Sequence, residues 1–520
     1  MKTSMPAVRP AWLPRAALLT LLTFGVQACG TWRAVPLANV ESGKESLEGV
    51  ELRVRERGSS EKRTVQVTAV HFPFVDGKET LPPGAKGSEM KEVRDVQINL
   101  NAVEEIEVYH ARAGLTILAV AGTIVGVAAL VLLIALLTKS SCPFVYAVTP
   151  DGPVLVGEAY SGATGRSTQR GDLMPLPLLP GGHARLWLAN EARETQYTDQ
   201  LELWLVDHAP GLRAVATADA RPVLVEGALA PVRATDLAGA DVTGLVAFGD
   251  GRFWQSDLDR LSAEASPELR EGLEVAFDAP VAGGRPVLEL EVGNTAWMDL
   301  VFGRFFALMG DSLAVHVAGA NDPASGPAIR AWREREGVDL SVEVLRSGRW
   351  EKVGLVPPVG PMAPRRVAVP LPAAEPGSPL RVRLTGGLGF WRLDQIALSA
   401  LRADAPSPVR LAPATARQGD GADVRALLAA ADGRYQEMAR PGDRVDLSFD
   451  LPPAEPGTVR EAFLYTSGYY NVHPPPQRER SISTLYTLRD EPRSLSRFSL
   501  DLYRSYRELA LAGGGEGARR

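Results

Sequence analysis

The 520-residue sequence predicts a mostly β protein that carries one membrane-spanning helix. Three observations lead there. Apolar and polar residues alternate in many short runs bounded by Gly- and Pro-rich breaks, which is the period of half-buried strands. Helical periodicity is scarce, with 424–430 and 498–511 as the best candidates. Residues 113–137 contain no charged side chain, and at 1.5 Å per residue they reach about 37 Å, longer than the ~30 Å hydrocarbon core. The expected architecture is a small N-terminal β-barrel-like module, one transmembrane helix, and two or more β-sandwich domains.

The elements follow in order. Lys2, Arg9 and Arg15 precede a short apolar run, no acid occurs before Glu41, and the run closes on Val26-Gln27-Ala28-Cys29-Gly30. A basic start, an apolar stretch too short to span a bilayer and a small residue before a cleavage point read as a secretory leader over 1–28. Cysteine after that small residue resembles a lipobox, which implies lipidation of Cys29. Residues 29–46 read as a linker. In 47–110, Thr64-Val65-Gln66-Val67-Thr68-Ala69-Val70 and Val96-Gln97-Ile98-Asn99-Leu100 alternate as strands, with Asp76-Gly77 read as a turn, so this stretch reads as a small β module of SH3-like or Sm-like type. The span at 113–137 follows. Gly122 and Gly126 stand at a spacing that lets two helices approach closely, which suggests a homodimer through this segment. Arg112 and Lys139 flank the span one on each side, so charge balance assigns no orientation.

Past the span, composition and breaks divide the chain into a β domain at 141–245, a sandwich at 246–402, a linker at 403–422, a β unit at 423–475, and a tail at 476–520 with a short helix. Two stretches look alike. Asp250-Gly251-Arg252-Phe253 and Asp432-Gly433-Arg434-Tyr435 each precede a strand that ends in an acid and, two residues on, a proline (Asp278-Ala279-Pro280, Asp450-Leu451-Pro452). Two copies suggest related β units and not a solenoid, which needs three or more. Gly389-Phe390-Trp391-Arg392-Leu393-Asp394, leading into an alternating strand, resembles the closing strand of jelly-roll, galactose-binding-like domains.

The blocks Ser141-Cys142-Pro143-Phe144-Val145-Tyr146, Glu158-Ala159-Tyr160-Ser161-Gly162-Ala163 and Glu194-Thr195-Gln196-Tyr197-Thr198-Asp199 resemble a family of uncharacterised bacterial membrane lipoproteins. The resemblance covers 141–210 and implies a similar layout, with no activity attached.

A net charge of −6 and a pI near 5.7 argue against a nucleic-acid binder, which would show a basic face. Two cysteines provide no disulfide framework and no Cys-rich zinc site. Asp250, Asp257 and Asp259 lack the spacing of a calcium loop, and no phosphate-binding or dinucleotide fingerprint appears, so neither metal nor cofactor is expected. Gly310-Asp311-Ser312-Leu313 and Gly319-Ala320-Asn321-Asp322 spell two blocks of the GDSL hydrolases. They lie within ten residues of each other on an expected strand, and none of the six histidines follows an Asp at the spacing that would supply a base. A serine without an imidazole is a weak nucleophile. The ring faces of Trp391, Tyr469 and Tyr470, near strand ends, are candidates for stacking on a ligand, with core packing as the ordinary alternative. The expected protein is a non-catalytic, membrane-anchored lipoprotein of the bacterial cell envelope. Its partners would be membrane lipid and an envelope polymer or protein; a serine hydrolase using Ser312 is the alternative.

Overall fold

The computed structural model describes, in an N-terminal unit, residues 30–35, 37, 40, 47, 51–57, 62–71, 73–80 and 93–111, and, in a C-terminal unit, residues 142–517 apart from 151, 178–181, 265–268, 279–284, 374–378, 404–405 and 475–480. The leader at 1–28, Cys29, the apolar segment 113–137 and Gly122 and Gly126 lie outside the described residues. Among the described residues no single helix is long and apolar enough to cross a membrane.

The N-terminal unit is one antiparallel sheet of six strands. Its order is Gly30–Ala34, Val103–Ala111, Glu51–Glu56, Lys62–His71, Phe74–Thr80, Val93–Asn99. Val65 and Val67 turn inward with Leu52, Val54, Val75, Ile98 and Ile106, while Gln66 and Thr68 face out, as a period of two demands. Two details differ from the expectation. Gly30–Ala34 pairs along 107–111 and so joins the sheet rather than the linker. Gly77 lies inside a strand, and the chain reverses earlier, where His71 pairs with Phe74. A Cβ at Gly77 would stand 2.4 Å from Val65 Cγ1, so the glycine serves a close approach between strands and not a turn. The edge strands Gly30–Ala34 and Val93–Asn99 show no pairing to each other that would close a barrel.

Taken together, the structure is 49% strand and 22% helix, which settles the mostly β class. The C-terminal unit contains two sandwiches, one inserted in the other. The outer one pairs a sheet ordered Thr415–Gln418, Arg444–Asp450, His183–Ala189, Phe144–Thr149, Gly152–Glu158 with a sheet ordered Val409–Leu411, Glu194–His208, Val459–Val472, Arg170–Leu176. Val145, Leu186 and Leu447 from the first meet Met174, Leu203 and Leu464 from the second in one core. The inserted one pairs a sheet ordered Arg233–Asp236, Glu271–Phe277, Leu380–Gly386, Leu340–Arg346, Arg349–Val356 with a sheet ordered Leu212–Ala216, Pro222–Leu229, Trp391–Ala403, Arg285–Asn294, Arg365–Pro370. Leu273, Val342 and Val382 there meet Leu288, Leu398 and Val367. Strands at 409–411 and 415–418 fall in the stretch read as a linker. Those at 436–438, 444–450 and 459–472, read as a separate unit, complete the sandwich begun at 144.

The two sandwiches repeat each other, strand Leu212–Ala216 of the inserted one excepted. Strands 144–149, 152–158, 170–176, 183–189 and 194–208 occupy the places of 340–346, 349–356, 365–370, 380–386 and 391–403. Strands 415–418, 444–450 and 459–472 occupy those of 233–236, 271–277 and 285–294. The short strand Gln436–Met438 adds to 196–198 as Trp254–Gln255 adds to 392–393. The turns agree atom for atom. Val242 N donates to Ala234 O and Val424 N to Ala416 O; Gly239 and Gly421 adopt φ 91° and 88°, Gly251 and Gly433 80° and 81°. The chain thus runs first half, second half, first half, second half, and each sandwich joins a half from one copy to a half from the other.

Helices fill the connection after Arg285–Asn294. Thr295 caps Ala296–Ala307 by accepting from Met298 N, and Gly337 (φ 71°) ends Gly326–Glu336 in the left-handed conformation that glycine adopts freely. The stretch 310–321, expected as a strand, is a short 3₁₀ turn leading into helix Leu313–Asn321. Its run of Ala, Val and Gly carries little periodicity of either kind, so local pattern could not choose. Where the sandwiches meet, charge is buried. The Asp172 carboxylate accepts from Arg365 Nη2 (3.0 Å) and Tyr160 N (2.9 Å) and lies 3.3 Å from Arg170 Nη1. Arg170 also donates to Pro358 O (3.0 Å) and Arg333 to Gly162 O (2.9 Å), so polar contacts cross the junction, while Arg170 Nε, Arg333 Nε and Arg365 Nη1 are buried without a partner.

Candidate functional site

On the outward face of the outer sandwich a cavity of about 320 Å³ opens beside the strand Glu194–His208. Leu201, Leu203 and Leu205 of that strand turn into the core. The opposite parity therefore carries Gln200, Glu202 and Trp204, and all three line the cavity. Register supplies the rest. Tyr465 pairs across from Glu202 and Arg410 across from Trp204. The rings of Trp204 and Tyr465 stack at 4.7 Å with 5° between planes, and the Arg410 guanidinium lies 4.3 Å above the indole. Trp204 Nε1 donates to Glu202 Oε2 at 2.7 Å, which holds both side chains in place. The hairpin 212–229 closes one wall with Asp219, whose carboxylate accepts from Arg221 Nε at 2.8 Å. Gly171 forms the floor; a Cβ there would come within 2.9 Å of the Tyr465 hydroxyl oxygen.

The wall thus offers donors from Arg410, Gln200 and the Tyr465 hydroxyl and acceptors from Glu202, Asp219 and Gln200; the Trp204 ring is itself buried, packed with Leu173, Val206, Ala214, Ala220 and Leu224. Burial, and next the charge of Glu202, push the Tyr465 phenol up, so it stays a hydroxyl donor at neutral pH. Its volume falls at the lower end of small-molecule sites. The inserted sandwich is an internal control. In its equivalent register Gln395, Ala397 and Ser399 replace Gln200, Glu202 and Trp204, and Glu289 replaces Tyr465. Glu289 is buried, bonded to Arg213 Nη2 (2.6 Å) and the Ser399 hydroxyl. The fold therefore does not require the aromatic pair or its acids.

The candidates expected from sequence lie elsewhere. Trp391 is buried in the inserted sandwich, its ring against Gly386, where a Cβ would stand 2.6 Å from Trp391 Cδ1. Tyr469 and Tyr470 are buried in the outer one. Tyr469 stacks on Tyr197 (4.7 Å) and meets Tyr435 edge-on (5.2 Å); the Tyr470 hydroxyl accepts from Gly162 N (3.1 Å). These rings pack; they do not form one site. The Arg392 guanidinium lies 4.7 Å over Phe253 and donates to Pro361 O, so it makes no ion pair with Asp394. Asp394 instead accepts from Asp250 N and Gly251 N. Ser312 Oγ donates to Met309 O (2.7 Å), and Asn321 Oδ1 accepts from Arg166 N (2.8 Å), so neither is presented as nucleophile or oxyanion donor. Asp257 caps helix Leu258–Ala263. Among the described residues no three His, Cys, Asp or Glu side chains are grouped to hold a metal ion. Cys142 is buried as a thiol.

The cavity was missed because Trp204 reads as part of an apolar run. Its parity carries the signal: it shares the outward face with Gln200 and Glu202. The chain matches no protein-family model and no curated protein.

Proposed function

We propose that this chain is a non-catalytic, membrane-anchored lipoprotein of the bacterial cell envelope whose outer sandwich binds a hydroxyl-rich polymer, most simply a saccharide, at the Trp204–Tyr465 cavity. The cavity carries the reading. The partly exposed Tyr465 ring suits the apolar face of a sugar, and a rim of carboxylates, amide and guanidinium suits its hydroxyls. The twin sandwich holds the same strands without these side chains. The leader pattern, Cys29 and the apolar 113–137 support the envelope address and the lipid contact. The test is a glycan array probed with full-length protein in detergent, beside Arg410→Ala and Glu202→Gln variants. Binding that both variants lose supports the reading; binding that both retain moves the ligand elsewhere on the molecule; silence across all glycans removes the saccharide.

A further inference from the structure

Helix Leu313–Asn321 has the sequence Leu-Ala-Val-His-Val-Ala-Gly-Ala-Asn, with no charged side chain, and not one of its residues is buried. Val315 is 73% exposed, the most open of the large apolar side chains described. Helices Ala296–Ala307 and 310–321 together have the length and composition of a membrane span but bend by 92°. The first sinks Trp297, Met298, Leu300 and Val301 into the inserted core, which leaves the second outside. A surface of this kind on a soluble body marks contact with something apolar.

The fold says which end of the body this is. The apolar segment 113–137 stops five residues before Cys142. Pro143 O accepts from Ala159 N, and the loop that starts there runs to Gly165 and Arg166, against Ala320 and Asn321 of the helix. Helix Ile482–Asp490 begins at the same place, since Ser481 N donates to Leu308 O (3.0 Å). It exposes Ile482 (46%) and Tyr486 (54%), with the Arg489 guanidinium 4.7 Å over the Tyr486 ring. Tyr and Arg beside exposed aliphatics are the side chains that favour a bilayer interface. The geometry points to a lipid-docking surface: helix Leu313–Asn321, with Ile482 and Tyr486, lies on the bilayer from which the 113–137 segment emerges and sets the orientation of the sandwiches above it. This rests on the proposed membrane anchor.

The test uses full-length protein in phosphatidylethanolamine–phosphatidylglycerol vesicles. An environment-sensitive fluorophore is attached at Val315→Cys, and as a control at Val459→Cys, each in a Cys142→Ala background. Val459 is exposed and lies about 40 Å from Val472 along their strand, at ~3.3 Å per residue. Flotation with the vesicles reports the anchor; doxyl-lipid quenching reports the helix. The expected result is about twofold or stronger quenching at 315 and none at 459. Flotation without quenching at 315 overturns the inference and leaves the anchor standing. A blue-shifted but unquenched label overturns it in favour of a protein covering the helix, a second copy included if 315–315 crosslinks form. Equal quenching at both sites also overturns it. Failure to float removes the anchor and the inference together.

Discussion

Asp394 and Asp199 hold matching turns, and removing either should cost the same. Asp394, 2% exposed, accepts from Gly251 N at 2.9 Å and more weakly from Asp250 N at 3.3 Å. Asp199, 3% exposed, accepts from Gly433 N at 2.9 Å and Gln169 Nε2 at 2.7 Å. A hydrogen bond to a charged acceptor contributes about 1.5–3 kcal/mol, and a buried amide left without a partner costs about 1–3 kcal/mol. With one strong bond and one weaker or side-chain bond at each site, Asp394→Ala and Asp199→Ala should each destabilise by about 3 kcal/mol. Asn keeps one acceptor oxygen, so Asp394→Asn should cost only about 1 kcal/mol. The assay is urea unfolding of the full chain in mild detergent, followed by tryptophan fluorescence. With a slope near 2–3 kcal/mol/M, the alanine variants should lower the midpoint by roughly 1–1.5 M. If the sandwiches unfold separately, Asp394→Ala shifts one phase and Asp199→Ala the other, and in the double variant the losses add. A loss below about 1 kcal/mol at either site, or Asn as damaging as Ala, would refute the view that these carboxylates clamp the turns.

Burial alone pushes the Asp172 carboxyl up, but the Arg365 and Arg170 guanidiniums and Tyr160 N–H overcome it and hold it below the usual value. Its contribution is therefore present above the unfolded value near 3.9 and lost as pH falls through the folded one; urea midpoints should decline below about pH 4, less steeply in Asp172→Asn. Gly360 has φ 92°, and a Cβ there would lie 1.9 Å from Glu158 Oε2, so Gly360→Ala should lower stability by about 2 kcal/mol or more in the same titration. Ser312 is tied to Met309 O and should not react with a fluorophosphonate probe; peptide-mapped labelling there would revive the hydrolase.

Strand alternation made the mostly β class legible, and the inward Val65 and Val67 or Leu201 and Leu203 are where the period places them. The duplication was legible only at Asp250-Gly251-Arg252-Phe253 and Asp432-Gly433-Arg434-Tyr435. Two causes hid the remainder. The turn aspartates of the first halves, Asp199 and Asp394, are 195 positions apart, whereas Asp250 and Asp432 are 182 apart, so no constant period exists to detect. The halves also pair crosswise, and pairing between Glu202 and Tyr465 leaves no local trace. For the site, a tryptophan or tyrosine near a strand end has the same sequence signature in a core as in a cavity. Trp391, Tyr470 and Trp204 are all buried, and only the parity of Trp204, shared with Gln200 and Glu202, sets it beside the cavity.

The crosswise arrangement looks costly and is not. Glu202 and Tyr465 are partners across 263 residues, against 108 for Ala397 and Glu289 in the inserted sandwich. In an open chain the longer loop costs only about 0.8 kcal/mol more to close, because the penalty grows with the logarithm of length. Even that falls away once the inserted sandwich has formed from its contiguous residues. The chain enters it through the hairpin 212–229 and leaves after Ala403, and Leu224 pairs with Ala403. Entry and exit are thus side by side, and the inserted body spans the gap as a short turn would. The outer sandwich can then close 194–208 on 459–472, with Trp204 packed against Ala214, Ala216 and Leu224 of the hairpin that leads into the insertion. The hairpin that leads into the insertion therefore both covers the Trp204 ring and supplies Asp219 to the cavity wall, so the insertion helps to build the cavity it borders.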